Sequence, residues 1–177
     1  IDEISFNEAV EMTFYGATVI HPKTIKPLQN KNIPLLVKSF INPEGKGTIV
    51  GGNDNHLPPI RIVKNNQALI TLHTKDFSFV EDEVVAEIFS AFSASNLKLN
   101  MMQQGAISFE AVVDNIPEKI TKVKDALEIK FNFNIQDNLT ILTIRHYTNL
   151  EYIEKFKNNK LTILEQRRIS TYQGLLQ

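Results

Sequence analysis

Few side chains in this 177-residue chain have the types and spacing that catalysis or metal binding requires. Three consecutive acids, Glu81, Asp82 and Glu83, could bind a cation, but acids at the start of a helix are also favoured by the helix dipole. The histidines are too scattered for a metal motif such as H-x-x-x-H: His21, His56, His73 and His146. The chain has no cysteine, so it has no disulfide framework, thiolate nucleophile or zinc–cysteine cluster. We therefore expect no metal site and no catalytic constellation of nucleophile, base and orienting group.

Two further motifs each have two interpretations. Gly51-Gly52 could cradle a phosphate, but neither G-x-x-x-x-G-K-[ST] nor G-x-G-x-x-G is completed, and the turn formers that follow favour a linker ending at Pro58-Pro59. Met101-Met102 could adapt to a ligand or pack in a core.

Composition limits the possible partners. Lys and Arg number 19 against 20 for Asp and Glu, which leaves no basic footprint for nucleic acid. No apolar run approaches the ~20 residues that span a bilayer, so we expect no membrane partner. The N-terminus does not resemble a secretion signal, although a truncated start could have lost one. These features predict a cytoplasmic protein.

The first fifty residues contain local signals for two helices and a strand. Ser5 followed by Glu8 is a capping box, apolar residues recur at helical spacing, and Gly16 suits a helix end, so we expect a helix from about 5 to 15. His21-Pro22 begins a second helix. Residues 33–40 form a short buried strand that stops at a turn. About fifty residues provide too little core for an independent domain.

Beyond residue 59, strands and helices alternate. Strands are predicted at 60–63, 68–74, 97–101, 107–113, 132–136 and 139–146, and helices after Glu81 and from Pro117. The order strand, helix, strand, strand, helix, strand predicts an α+β fold, in which helices cover one face of an antiparallel sheet. A short helix at 149–157 and a hairpin of 161–167 with 170–176 complete the chain.

A long ordered motif runs through the N-terminal segment, over residues 8–12, 14–25 and 33–43. It resembles the end of the catalytic domain of aspartokinase, where E-A-x-E-x-x-Y/F-x-G-A-x-V-x-H-P-x-T-I and I-P-x-x-V-x-x-x-x-N-P occur in this order. Three later segments are similar to the ACT domains that follow this kinase: Thr71-Leu72-His73-Thr74, Ala86-Glu87-Ile88-Phe89 and Asn96-Leu97-Lys98-Leu99-Asn100. The resemblance implies ferredoxin-like ACT-type βαββαβ units after a helix-helix-strand tail of the amino acid kinase domain.

The resemblance also implies a domain organisation. Residues 1–52 would be the kinase tail, 53–59 a linker, 60–138 a first ACT-type domain and 139–177 a second one. In this family the first ACT domain is inserted into the second, so residues 60–66 would be a strand of the second. The second unit lacks a final helix, either because the chain ends early or because the unit is reduced.

Phosphoryl transfer is expected of a parent enzyme rather than of this segment. The resemblance places Thr18 and Val19 beside the nucleotide, although the family has Lys at Thr18, and a purely structural junction is the alternative. The groups that hold the transferred phosphoryl and the aspartate would lie upstream of Ile1. ATP and magnesium would therefore be cofactors of the parent, and the segment alone would be inactive and bind neither.

An effector site for a small amino acid is implied between the loop 78–83 and the strand 98–105, commonly across a dimer interface. The residues implied are Ser78, Phe79, Asp82, Glu83, Lys98, Leu99, Asn100, Gln104 and Gly105. Asn100 replaces the Asp of lysine-sensing members, and a neutral amide cannot replace an ion pair. Either lysine or a neutral effector such as threonine is then expected to bind, or the unit is a dimerisation scaffold without a ligand. The expected partners are a second copy, through the ACT domains, and the kinase domain in cis.

Overall fold

The computed structural model describes residues 1–17, 20–54 and 57–177, with Pro22 described by its backbone alone. By spatial proximity the chain divides into two compact units. The terminal unit comprises Ile1–Lys64 and Leu142–Leu176, and the central unit comprises Asn65–Ile141 with Gln177. The boundaries proposed above follow the order of the chain and a family resemblance instead, so they stay a prediction.

The terminal unit begins with two helices and a small sheet of its own. The helices are α1 (Phe6–Phe14) and α2 (Pro22–Asn30). The three-stranded sheet has the order β1 (Glu3–Ile4), β3 (Thr48–Val50), β2 (Leu35–Val37). β1 is parallel to β3 and β2 is antiparallel to it. Both predicted helices are confirmed. The buried strand predicted at 33–40 is shorter than expected, and none of the three residues of β2 is buried. The two other strands were not predicted.

The capping box at α1 is only half formed. The Ser5 hydroxyl accepts a hydrogen bond from the Glu8 backbone N–H at 3.0 Å, as predicted. The Ser5 backbone N–H donates instead to the Asp54 carboxylate at 2.7 Å. The Glu8 carboxylate is thus not needed at the helix start and points to another partner, which is described below. Gly16, at the end of the helix, has φ +111°, a region that favours glycine.

The predicted apolar stripe of α1 is largely exposed. Val10 and Phe14 are 38% and 54% exposed. The buried face of the helix carries Glu8 and Ala9, and Ala9 packs with Ile4, Ile25 and Val50 beneath the small sheet. Phe6, the first residue of the predicted stripe, packs against this core. The spacing therefore identified the helix correctly but only part of its buried face.

The predicted linker begins as an ordered extension of the small sheet. The backbone N–H groups of Gly51 and Gly52 donate to the Ile4 carbonyl at 3.0 and 3.2 Å. The Asn53 N–H donates to the Glu3 carboxylate at 3.1 Å. A Cβ on Gly52 would overlap that carboxylate, so glycine is needed here for close approach.

The C-terminal elements complete the terminal unit. They are the end of β7 (Phe131–Arg145), α5 (Leu150–Lys157), β8 (Thr162–Arg167) and β9 (Thr171–Leu176), and β9 lies between β7 and β8. Their core contains Leu142, Ile144, Ile153, Tyr172 and Leu176. The predicted short helix and the hairpin are both confirmed.

The central unit has the predicted α+β fold. Its elements are β4 (Ile60–Thr74) from Asn65 onward, α3 (Asp82–Ala94), β5 (Leu99–Gln104), β6 (Ser108–Asp114), α4 (Pro117–Leu127) and β7 up to Ile141. The strand order β5-β6-β4-β7 is that of a ferredoxin-like βαββαβ unit. Residues of both helices join one core cluster with β4 and β6, for example Ile88 and Val123 with Ile70 and Ala111. Both helices therefore cover the same face of the sheet.

Two pairs of predicted strands are single long strands. Residues 60–63 and 68–74 lie in one β4, and residues 132–136 and 139–146 lie in one β7, each strand being 15 residues long. Asn66 and Asn138, which lie between the predicted strands, have φ +55° and +58°. Asparagine tolerates this left-handed conformation, so each distorts its strand locally without ending it.

No helix in the described part of the chain is long and apolar enough to cross a membrane.

Candidate functional site

The first turn of α3 and the end of β5 border an open depression in the central unit. It is lined by Val80, Glu81, Asp82, Glu83 and Gln104. The Gln104 side-chain amide donates to the Val80 carbonyl at 2.6 Å, and the Val80 N–H donates to the Ala106 carbonyl at 2.8 Å. These bonds hold the loop before α3 against the β5–β6 turn. Three of the sequence-predicted effector residues, Asp82, Glu83 and Gln104, are thus brought together.

Asn100 lies at the other end of β5. It is four residues from Gln104, or about 13 Å along a strand at ~3.3 Å per residue. Its amide donates to Gln67 Oε1 at 2.8 Å and to Asp114 Oδ1 at 3.0 Å. The Gln67 amide also donates to Asp114 Oδ1, at 3.0 Å, and Gln67 is buried. Asn100 therefore belongs to a polar cluster inside the central unit and does not line the depression.

The predicted loop residues make contacts within their own loop. The Ser78 hydroxyl and backbone N–H both donate to Asp76 Oδ1, at 2.6 and 3.1 Å. These two hydrogen bonds, the hydroxyl first, hold the pKa of Asp76 below its usual range. Phe79 is 65% exposed.

The remaining predicted residues have different environments. Lys98 is exposed and Leu99 is half-buried against the core. The Gly105 N–H donates to the Ser108 carbonyl at 2.8 Å and closes the β5–β6 turn. Thr18 and Val19, the predicted nucleotide contacts, lie outside the described residues. Within the described ranges, no group of three or more His, Asp or Glu side chains could hold a metal ion.

The terminal unit contains a buried ion network that the sequence analysis missed. Arg145, at the end of β7, donates through Nε and Nη2 to the two carboxylate oxygens of Glu8, at 2.8 and 2.7 Å. Its Nη1 donates to Glu11 Oε2 at 3.1 Å and to Thr171 Oγ1 at 3.2 Å. Glu8 and Arg145 are only 3% and 8% exposed, and the guanidinium lies 5.5 Å from the Tyr15 ring centroid. His146 Nε2 is 3.1 Å from Glu8 Oε2.

The network changes the proton affinity of both partners. Burial alone would raise the pKa of Glu8, but the hydrogen bonds and charges of Arg145 and His146 outweigh it, so the pKa is lowered. The hydrogen bond to Glu8 raises the pKa of Arg145 in turn. Both shifts show that the charged forms are stabilised where they are.

Acid should weaken the terminal unit through Glu8. A carboxylate with a lowered pKa in the folded state stabilises the fold fully above the pKa of an unfolded glutamate, about 4.3. This contribution is lost as the pH falls through the lower pKa of folded Glu8. We expect the urea midpoint to fall steeply below about pH 4.3, and less steeply in Glu8→Gln. The exposed Glu44→Gln is the control; equal pH profiles for both variants would contradict this assignment.

The fold of the central unit indicates which class of fold the chain has. A βαββαβ unit with both helices on one face of an antiparallel sheet has the ferredoxin-like, ACT-type fold that the sequence predicted. Solved structures confirm this fold. The chain matches E. coli aspartokinase III in complex with aspartate and ADP (R-state), with a TM-score of 0.79 and 22% identity, over 99% of this chain and 43% of that one. It matches the regulatory subunit of aspartate kinase from Thermus thermophilus with a TM-score of 0.52 and 10% identity, over 66% and 85%.

Sequence relatives then identify the particular kind of protein. Lysine-sensitive aspartokinase 3 of Escherichia coli (strain K12) is 33% identical over 116 residues, which is 64% of this chain and 26% of the relative. A bifunctional aspartokinase/homoserine dehydrogenase of Haemophilus influenzae is 30% identical over 132 residues, 72% of this chain and 16% of the relative. No family model matches the chain. The chain is homologous to part of the aspartokinases and has the fold of their regulatory region; it spans about a quarter or less of these two relatives.

Proposed function

We propose that the chain is the regulatory region of an aspartate kinase and senses a small amino-acid effector. The parent enzyme would use ATP and magnesium to phosphorylate L-aspartate on its side-chain carboxylate, giving 4-phospho-L-aspartate. The homology to lysine-sensitive aspartokinase 3 supports this proposal most directly. The residues that this chain shares with the kinase domain are a tail only, so the chain alone would not turn over ATP.

The depression at α3 supports binding of an amino acid. Its rim carries Glu81 at the N-cap of α3 and Asp82 and Glu83 in the first turn. The negative electrostatic potential of these acids favours a ligand with an ammonium group. One of the matched structures is E. coli aspartokinase III in complex with lysine and aspartate. Lysine is therefore the first candidate effector, and threonine, whose side chain needs no counter-charge, is the second.

A dimerisation scaffold without a ligand is the second candidate function. It is favoured by the hydrogen bonds that the predicted site residues make inside the protein. The amides of Asn100 and Gln104 donate to protein acceptors, and the Ser78 hydroxyl donates to Asp76. A ligand that used these groups would first have to break those bonds.

A kinase domain in cis and a second copy of the chain are the proposed partners. The N-terminal segment exposes several large apolar side chains: Ile1, Phe14, Ile33, Leu36, Phe40 and Ile41. Large apolar side chains that are exposed in such number within one segment are compatible with a surface that another protein part covers. This observation supports a further domain against the N-terminal segment; dimerisation through the ACT domains is proposed from the homology.

Calorimetric titration with lysine, threonine and methionine tests effector sensing. We expect heat with lysine, and about five-fold weaker binding in Asp82→Asn and Glu83→Gln, because an exposed ion pair contributes up to ~1 kcal/mol. Glu118→Gln is the matched control, since Glu118 lies in the first turn of α4. If no amino acid gives heat while the chain sediments as a dimer, the scaffold function is correct and effector sensing is wrong.

A further inference from the structure

The ion network around Arg145 connects parts of the chain that are far apart in sequence. Arg145 is the last residue of β7, and Thr171 is the first residue of β9. Glu8 and Glu11 lie one turn apart on α1, and Glu8 is 137 residues from Arg145. A single guanidinium therefore holds one face of α1 against the ends of two strands.

The geometry of this contact resists small displacements. Two parallel N–H···O bonds to one carboxylate fix both the distance and the angle between the two groups. The third nitrogen of Arg145 is shared between Glu11 and Thr171. Because Glu8 and Arg145 are both buried, water cannot replace a bond that is broken, and a buried charge without a partner is strongly unfavourable. Helix α1 and the strand ends therefore have to move together or separate completely.

The elements at the two sides of the contact have different proposed roles. Helix α1 is followed in the sequence, after Gly16 and Ala17, by Thr18 and Val19, which the family resemblance places near the nucleotide. β7 is one continuous strand, and its earlier residues, up to Ile141, belong to the central unit with the candidate effector depression. The network could thus pass a displacement of β7 to α1 directly, without the chain between residues 15 and 60.

We propose that Arg145 is the coupling contact through which β7 and β9 position helix α1, so that a shift of these strands is passed to α1. The proposal rests on the proposed regulatory function, because it names the contact by which the sensing region would reach the kinase segment. Arg145 acts through α1 and is thus a positioning residue.

An apolar contact also holds α1, and the test has to separate it from the network. Tyr15, just after the helix, packs with Ile60 and Ile62 at the start of β4. A variant that removes both charges, Glu8→Met with Arg145→Met, keeps this apolar contact and leaves no buried charge unpaired. Replacement of a buried ion pair by apolar residues is often neutral, so this double variant is expected to fold.

Hydrogen exchange of the 177-residue chain is the primary test. In the double variant we expect amides of α1 to exchange about ten-fold faster or more, while amides of β9 keep their protection, because the two elements then open separately. Lys130→Met is the matched control: it removes the exposed ion pair with Glu87 in the central unit and should leave α1 unchanged. If α1 of the double variant is as protected as in the unmodified chain, the proposal is overturned.

A second experiment measures hydrogen exchange in the presence of lysine or threonine. In the unmodified chain, a bound amino acid should change the hydrogen-exchange rates of the α1 amides. In the double variant, the amino acid should bind with similar affinity but leave these exchange rates unchanged. A response of α1 that persists in the double variant would overturn the coupling role. If neither amino acid gives heat in the unmodified chain, effector sensing fails, and the exchange of α1 without ligand still decides whether Arg145 positions the helix.

Discussion

Arg145→Met alone is expected to lower the free energy of unfolding by about 3–5 kcal/mol, because it leaves Glu8 buried without its main partner. Glu8 is 3% exposed and receives two of its hydrogen bonds from Arg145, at 2.7 and 2.8 Å. The His146 side chain, with Nε2 3.1 Å from Glu8 Oε2, remains beside the carboxylate. Urea unfolding monitored by circular dichroism, at a pH well above the pKa of glutamate, measures this loss.

The double variant provides the control for this prediction. Removing Glu8 and Arg145 together should recover most of the lost stability, because the unpaired charge disappears with the pair. Lys130→Met should cost no more than ~1 kcal/mol, since Lys130 and Glu87 are largely exposed. An Arg145→Met variant as stable as Lys130→Met would show that water reaches Glu8, and that the network is not buried in solution.

The central unit was predictable because its signals are local. Alternation in β5 and β6, the apolar stripe of α3 and Pro117 at the start of α4 each specify an element within a dozen residues. The order of these elements then left few possible topologies, and the ferredoxin-like one formed. These sequence patterns are clear because each element buries one face against the same core, so its apolar residues recur at regular spacing.

The small sheet was not predictable in the same way. β1 has two residues and β3 has three, too few for any alternation to show. Their pairing joins Glu3 to Ile49 and Ile4 to Val50, so the partners are more than forty residues apart. The long strands β4 and β7 were each divided into two, because the polar residues 64–67 and 137–138 interrupt the apolar pattern. Pairing across the sheet nevertheless keeps each strand continuous.

The candidate sites were predictable only where the family resemblance supplied them. Asp82, Glu83 and Gln104 do line one depression, but nothing in the sequence showed that Asn100 would be held by Gln67 and Asp114. Glu8 had a sufficient local explanation as part of a capping box, which hid its role with Arg145. An arginine directly after the mostly apolar run 139–144 was the available signal, because a buried guanidinium needs a carboxylate partner.

Gly174→Ala is expected to destabilise the terminal unit by about 1–3 kcal/mol through overpacking. A Cβ on Gly174 would overlap the Tyr172 hydroxyl and lie 2.9 Å from the Cζ of that ring. Tyr172 has no room to move aside, because it is fully buried among Leu142, Ile144 and Ile153. Thermal unfolding measured against the unmodified chain gives the size of the effect.

Two further variants identify the hydroxyl as the cause. Tyr172→Phe with Gly174→Ala should recover part of the loss, because the overlapping atom is gone while the ring carbons remain close. Gly45→Ala is the matched control: a Cβ there meets Asn42 atoms at 3.2 Å in an exposed turn that can adjust, so little change is expected. If Gly174→Ala is as harmless as Gly45→Ala, the Tyr172 ring can shift within its core. In that case the packing of β9 would not limit the positions that β7 and Arg145 can adopt.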